Sequence, residues 1–276
     1  PALVLIIGFG LQMTAWPDSL CRGLADQGFC VIRLDNRDTG LSQQFNSFGS
    51  AEIGDAFARL EAGEPFDAPY TEEDLVDDVA GLLDALDIAQ AHIVGMSMGG
   101  CIAQRFALRY PTRVSSLVVL MSTTGAPGLP EGDPEVRKVL FSEPEVPGSL
   151  DSLISLSVKI QRALRGPRFA FDQDAFQIRV AQDLARCPEI DGYKRCLLGM
   201  RAASPYYEQL MEITVPTLVL HGRDDPVLPY ACGQDIANRI SSAKMIILEG
   251  WGHEVFSTEV HPFLIDAIAR HCFPLN

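Results

Sequence analysis

The sequence predicts an α/β protein: a mostly parallel sheet covered by helices on both faces, with a helical insertion after the fourth strand. Three observations carry this. Short apolar runs alternate with helical patterns from Leu3 to Met121. From about Ser122 to Ile213 there is no convincing strand, only helical patterns punctuated by Pro and Gly. From Thr217 onward the strand-then-helix rhythm resumes. Alternation of this kind implies a parallel sheet with both faces covered. An insertion at that point implies a cap over the C-terminal edge of the strands, where open α/β sheets bind ligands. The expected division is a core of residues 1–122 and 213–276 with a helical cap of residues 123–212.

Each element has its own signal. Leu3 to Ile7 is an apolar strand ending at Gly8-Phe9-Gly10. A helix follows from about Trp16, with Pro17 near its first turn and Trp16, Leu20 and Leu24 on one face. Phe29 to Asp35 is the second strand, and Asn36 to Tyr70 reads as loop-rich. Thr71 is a plausible N-cap for a helix whose first turn, Glu72-Glu73-Asp74, suits the positive end of the helix dipole. His92-Ile93-Val94 is the third strand, Cys101 to Tyr110 a helix closed by Pro111, and Val114 to Met121 the fourth strand. After the insertion come Thr217 to Leu220, a helix from Cys232 to Ile240, Lys244 to Leu248, and a last helix from about Pro262 to Cys272.

Composition narrows the function. The chain has 276 residues, 47% hydrophobic and 21% charged, enough apolar material for a sizeable core. A formal net charge of −14 without Lys/Arg clusters argues against nucleic acid and against an anionic membrane surface. No apolar run approaches the ~18 residues of a membrane span. Seven scattered cysteines, none spaced as C-x-x-C, indicate neither a zinc site nor a disulfide framework. They suit a reducing compartment, and a cytoplasmic location is expected. Opening on Pro1 with a core strand suggests that something upstream is missing.

The strongest chemical signal is Gly95-Met96-Ser97-Met98-Gly99, followed by Gly100. A strand runs into it and an amphipathic helix leaves it, the context that makes a G-x-S-x-G a nucleophile elbow with the hydroxyl raised above the sheet edge. A serine hydroxyl needs a base. Of five histidines, His253 alone follows the last strand in a Gly-rich loop, Gly250-Trp251-Gly252-His253, that can reach over the sheet. The imidazole needs a carboxylate to fix its tautomer. His221-Gly222-Arg223-Asp224-Asp225-Pro226 offers two, with Asp225 favoured by the prolines that shape its loop and Asp224 the competitor. The order Ser, Asp, His is that of one triad arrangement and not of others. Backbone donors for an oxyanion are expected from Met98, after the nucleophile, and from Phe9 or Gly10. Met96 and Trp251, beside the nucleophile and the base, are expected to line the substrate pocket. No metal and no organic cofactor are called for.

Together these segments resemble the α/β-hydrolase superfamily, of the serine esterase type, over essentially the whole chain. Asp35-Asn36-Arg37-Asp38-Thr39-Gly40-Leu41-Ser42 is similar to that family's D-x-R-G-x-G-x-S turn, with Asp38 and Thr39 replacing the usual glycine arrangement. With Trp16-Pro17, it looks most like the bacterial branch containing aclacinomycin methylesterase. The resemblance implies that the Asp35–Ser42 turn braces the loops near the triad. Two departures stand out: the N-terminal β-hairpin usual in the family is missing or truncated, and Ile7 occupies a position where many members have histidine. Serine at the elbow tells against the related epoxide hydrolases and haloalkane dehalogenases, which use aspartate there.

The same triad serves many acyl chemistries. The insertion is rich in Leu150, Leu153, Ile154, Leu156, Phe169, Phe171 and Phe176. Most of these should pack helix on helix, and the remainder should line an apolar pocket. The expected substrate is therefore a small-molecule carboxylic ester with a moderately apolar body, the methyl ester of a polyketide-like acid being one candidate. Acyl transfer, perhydrolysis, C–C hydrolysis and a non-catalytic ligand receptor are the alternatives. The sequence leaves room for a homodimer.

Overall fold

The computed structural model describes residues 1–189 and 191–273. Six strands form one sheet: β1 (Ala2–Ile6), β2 (Cys30–Arg33), β3 (Ala91–Met96), β4 (Val114–Leu120), β5 (Thr217–Gly222) and β6 (Ala243–Leu248). Their order is β2-β1-β3-β4-β5-β6, and every adjacent pair is parallel. The sheet is thus wholly parallel among the described residues, where a mostly parallel one was expected.

Both faces of β1 are buried, and its residues alternate between two cores. Val4 and Ile6 join the cluster built with Val79, Leu83, Ile102 and Phe106. Leu3, Leu5 and Ile7 join the one built with Trp16, Leu20, Trp251 and Leu264. Period-two alternation on a strand covered on both faces produces a continuous apolar run, as the sequence has. The first face is covered by α3 (Glu72–Ala85) and α4 (Met98–Arg109), with α9 (Tyr230–Arg239) at its far end; the second by α1 (Asp18–Asp26) and α10 (His261–Cys272).

Thr71 caps α3 in a reciprocal box with Asp74, as its sequence predicts. Pro17 is the N-cap of α1, so that helix begins at Asp18 rather than Trp16. A larger correction concerns the stretch read as loop from Asn36 to Tyr70: it contains α2 (Ser50–Ala62). The helix buries Ile53 and Ala56 against the distant Leu198 and the nearby Phe48, Phe57 and Phe66, and Ile53, Ala56, Phe57 and Leu60 do recur at helical spacing. Gly63, at φ 70°, closes it in the left-handed conformation.

Between β4 and β5 lie α5 (Pro134–Leu140), α6 (Leu150–Leu164), α7 (Gln173–Arg186) and α8 (Gly192–Ala202), with no strand among the described residues. Asp133, Ser149 and Asp172 cap the first three through side-chain oxygens. Two ion pairs, one buried and one partly buried, join this segment to the Asp35–Ser42 turn. Arg195 of α8 donates to Asp38 at 3.0 and 2.8 Å, and Arg186 of α7 donates to Asp35 at 2.6 Å. Asp35 also accepts the N–H groups of Met13 and Leu41, at 2.7 and 3.1 Å. Among the described residues no helix is long and apolar enough to cross a membrane.

Candidate active site

Ser97 sits between β3 and α4 with φ 55° and ψ −121°, a conformation that an L-residue adopts only under constraint. The constraint is steric. A Cβ on Gly95 would lie 2.1 Å from Gly99 O, and one on Gly99 2.1 Å from Ile6 O. The turn closes only because both are glycine. Ser97 N–H donates to Leu120 O at 2.9 Å and Ser97 O accepts from Ser122 Oγ at 2.7 Å, so neighbouring strand ends hold the turn from both sides.

His253 follows β6 in a loop that passes close to the end of α6. Its backbone N–H donates to Leu164 O at 2.7 Å. A Cβ on Gly252 would meet Gly166 N and Leu164 O at 2.3 Å each, so the loop needs glycine there. The side chain links the other two: Ser97 Oγ lies 2.9 Å from His253 Nε2, and Asp225 Oδ2 lies 2.7 Å from His253 Nδ1. Asp225 Oδ1 accepts the N–H groups of Val227 and Leu228 at 2.9 Å each, which fixes the carboxylate. Burial alone would raise the Asp225 carboxyl, but the adjoining His253 and His221 imidazoles outweigh it and hold it well below the usual carboxylate range. A fixed acceptor at Nδ1 favours the tautomer with its proton on Nδ1, leaving Nε2 to accept from the serine.

The competing acid is elsewhere. Asp224 is exposed, and its Oδ2 accepts Gly250 N–H at 2.8 Å. The other histidines have their own partners: His92 with Ser116, His261 with Ser19 and Val255 O, His271 with Pro216 O, and His221 donating to Leu228 O at 2.8 Å. The predicted oxyanion segments flank Ser97. Met98 opens α4, where first-turn N–H groups lack helical acceptors. A Cβ on Gly8 would be 3.3 Å from Ser97 Cβ, so the loop carrying Phe9 and Gly10 lies directly against the serine.

A cavity of about 380 Å³ opens over these groups, and Phe9, Gly10, Met96, Ser97 and His253 line it. Trp251 does not. It is fully buried in the core beneath, with its Nε1–H donated to Glu254 O at 2.8 Å, so the expectation of a pocket role fails. Of the apolar residues singled out in the insertion, Leu153, Leu156 and Phe176 line the cavity. Ile154 and Phe171 pack against neighbouring side chains, Phe169 joins the main core, and Leu150 is exposed. Sequence reading missed Gln161 and Arg179, which also face the cavity. Gln161 left a partial trace: with Ser157 it interrupts the side of α6 that carries Leu153, Leu156, Ile160 and Leu164.

The arrangement compares well with known proteins. A family model of the α/β hydrolase fold matches residues 1–260. The rhodomycin D methylesterase DauP of Streptomyces sp. strain C5 is 29% identical over 98% of this chain and 90% of its own length. A 2-hydroxy-6-oxononadienedioate/2-hydroxy-6-oxononatrienedioate hydrolase of Paraburkholderia xenovorans strain LB400 is 35% identical over 63% of this chain and 59% of that protein. The esterase RhEst1 from Rhodococcus sp. ECU1013 superposes with a TM-score of 0.72 at 20% identity, covering 100% of this chain and 91% of that one, a likeness of fold.

Proposed function

Since this chain belongs to the α/β-hydrolase fold family, we propose that it is a serine hydrolase. Its reaction is cleavage of a carboxylic ester with a small to medium, moderately apolar body, through an acyl-enzyme. One observation carries the reading: the hydrogen-bonded chain from Ser97 through His253 to Asp225, at the floor of a largely apolar cavity. Similarity to methylesterases along nearly the whole chain favours an ester, with a methyl ester the first to try.

In the proposed mechanism Ser97 Oγ attacks the ester carbonyl as His253 Nε2 takes its proton. Asp225 accepts from His253 Nδ1–H and stabilises the imidazolium. The N–H groups of Met98 and Phe9, with Gly10 adjacent, receive the negative charge that develops on the carbonyl oxygen. His253 then protonates the departing alkoxide, and the alcohol leaves. Water attacks the acyl-enzyme with His253 as base, releasing the acid and restoring Ser97. Residues 123–212 act as a cap that excludes solvent and shapes the acyl site; the ion pairs to Asp35 and Asp38 and the Leu164 contact to the His253 loop support that role.

The test is turnover of p-nitrophenyl esters from acetate to decanoate beside Ser97→Ala. Loss of a triad nucleophile removes several orders of magnitude of rate, so turnover abolished by the substitution is expected. Equal turnover by both proteins refutes the assignment of the nucleophile.

A further inference from the structure

We propose that Gln161 and Arg179 form a polar subsite in the α6–α7 wall of the cavity that recognises a neutral carbonyl oxygen on the acyl body of the ester. The inference rests on the esterase reading above and adds the chemical class of its substrate.

Two residues that line this space carry buried donors without partners among the described residues. Gln161 is 2% exposed, lines the same cavity as Ser97, and its amide nitrogen makes no hydrogen bond. Its α6 neighbours toward the cavity are Leu153, Leu156, Ser157, Ile160 and Leu164, and the one hydroxyl among them, on Ser157, is turned to Leu153 O at 2.9 Å. Arg179, one helix away on α7, also lines the cavity, and its Nε–H is buried and unpaired. Rotating the Gln161 amide would exchange its donor and acceptor, but an arginine Nε–H is a donor in every orientation. A buried donor left unmade is costly, so natural structures keep such groups for water or for ligand.

The Arg179 guanidinium is held rigidly. It lies 4.7 Å from the ring centroid of Phe176 and 4.5 Å from that of Phe256, two rings that themselves meet edge to face at 5.3 Å. It donates to Asp183 Oδ2, whose other oxygen accepts from Thr14 Oγ1 at 2.6 Å. Backbone carbonyl Asp183 O accepts from Gln12 Nε2 at 2.7 Å. The subsite is therefore preorganised before any ligand arrives.

Charge selects the ligand. Asp183 neutralises Arg179, and the other charged groups lining the cavity are Asp38, Glu143 and Glu189. A carboxylate on the substrate would enter beside Asp183, Glu143 and Glu189, with no free cation among the described residues that line the cavity. A ketone-type oxygen needs only donors, and its apolar flanks match the leucine, isoleucine and phenylalanine side chains around it.

The experiment uses a matched pair: methyl 5-oxo-5-phenylpentanoate and methyl 5-phenylpentanoate, one skeleton with and without the ketone. Equilibrium affinity is measured by calorimetry in Ser97→Ala, and kcat/KM in the wild type. The ketone should bind about tenfold more tightly, equivalent to about 1.4 kcal/mol, and be hydrolysed with a similar advantage. In Gln161→Met on the same background the preference should fall to within about twofold. Equal affinity for both esters, no measurable binding of the ketone, or a preference kept in full by Gln161→Met overturns the proposal. If Gln161→Met does not fold, the comparison of the two esters in the single variant decides. A ketone preference in binding with no turnover by the wild type would sink the esterase reading alone, and turnover without preference would sink the subsite alone.

Discussion

Replacing Asp225 with asparagine isolates one feature of the site, the proton on His253 Nδ1. Asp225 Oδ1 accepts two backbone N–H groups and Oδ2 faces Nδ1 at 2.7 Å. An amide in the same place keeps its oxygen on Val227 and Leu228, because only an oxygen satisfies those donors. Its nitrogen must then point at His253 and donate to Nδ1. That locks the imidazole with its proton on Nε2, so the ring donates to Ser97 instead of accepting from it. The base is lost while the geometry stays. The comparable change in a serine protease triad lowers kcat about 10⁴-fold, or about 5 kcal/mol at 1.36 kcal/mol per decade. Stability should fall by only about 1–3 kcal/mol, the cost of a weakened buried hydrogen bond. The assay is kcat on a p-nitrophenyl ester together with chemical denaturation. Asp224→Asn is the control: that side chain is exposed and an asparagine oxygen can still accept Gly250 N–H, so stability should move by no more than about 0.5 kcal/mol and kcat should stay near the wild-type value. A folded Asp225→Asn protein that keeps more than about one hundredth of the activity refutes the reasoning, as does a large loss in Asp224→Asn alone.

The remaining expectations follow from the same contacts. Gly99→Ala should destabilise by about 1–3 kcal/mol or more and lower activity strongly, since its Cβ would press on Ile6 O at 2.1 Å and backbone cannot yield; a thermal melt unchanged from wild type would contradict this. Arg195→Met leaves Asp38 buried without its cation, so a loss of about 3–5 kcal/mol is expected in a denaturant titration; a shift under 1 kcal/mol would show that the pair is not what tethers α8. Because the folded pKa of Asp225 lies below its unfolded value, its stabilisation is complete above about pH 4 and is lost as pH falls below that. Unfolding free energies between pH 2 and 6 should therefore show a shallower acid loss in Asp225→Asn than in the wild type, and parallel curves would argue against an ionised Asp225 in the fold.

How much of this was legible in the sequence differs from element to element. The strands were, because a parallel sheet covered on both faces leaves unbroken apolar runs such as Leu3 to Ile7. The nucleophile turn was as well: the glycine-flanked serine between a strand and a helix is a local pattern, although Gly99 answers to Ile6 O on a strand far away in sequence. Helix α2 was legible only in part: Ile53, Ala56, Phe57 and Leu60 keep a helical period, but the Leu198 they meet lies far along the chain. The choice between Asp224 and Asp225 rested on neighbouring prolines, and only the fold shows which carboxylate meets His253.

The sequence by itself determined the parallel sheet and the turns at its C-terminal edge, because backbone propensity, turn chemistry and apolar periodicity act over short stretches of chain. The tertiary structure decided what faces what. It turned Trp251 into the core, set Arg186 and Arg195 on Asp35 and Asp38 across about 150 residues (151 and 157 apart), and brought Gln161 and Arg179 to the cavity of Ser97. Those outcomes depend on where whole helices pack, and helix packing is fixed by summed burial over surfaces that no local window of sequence contains.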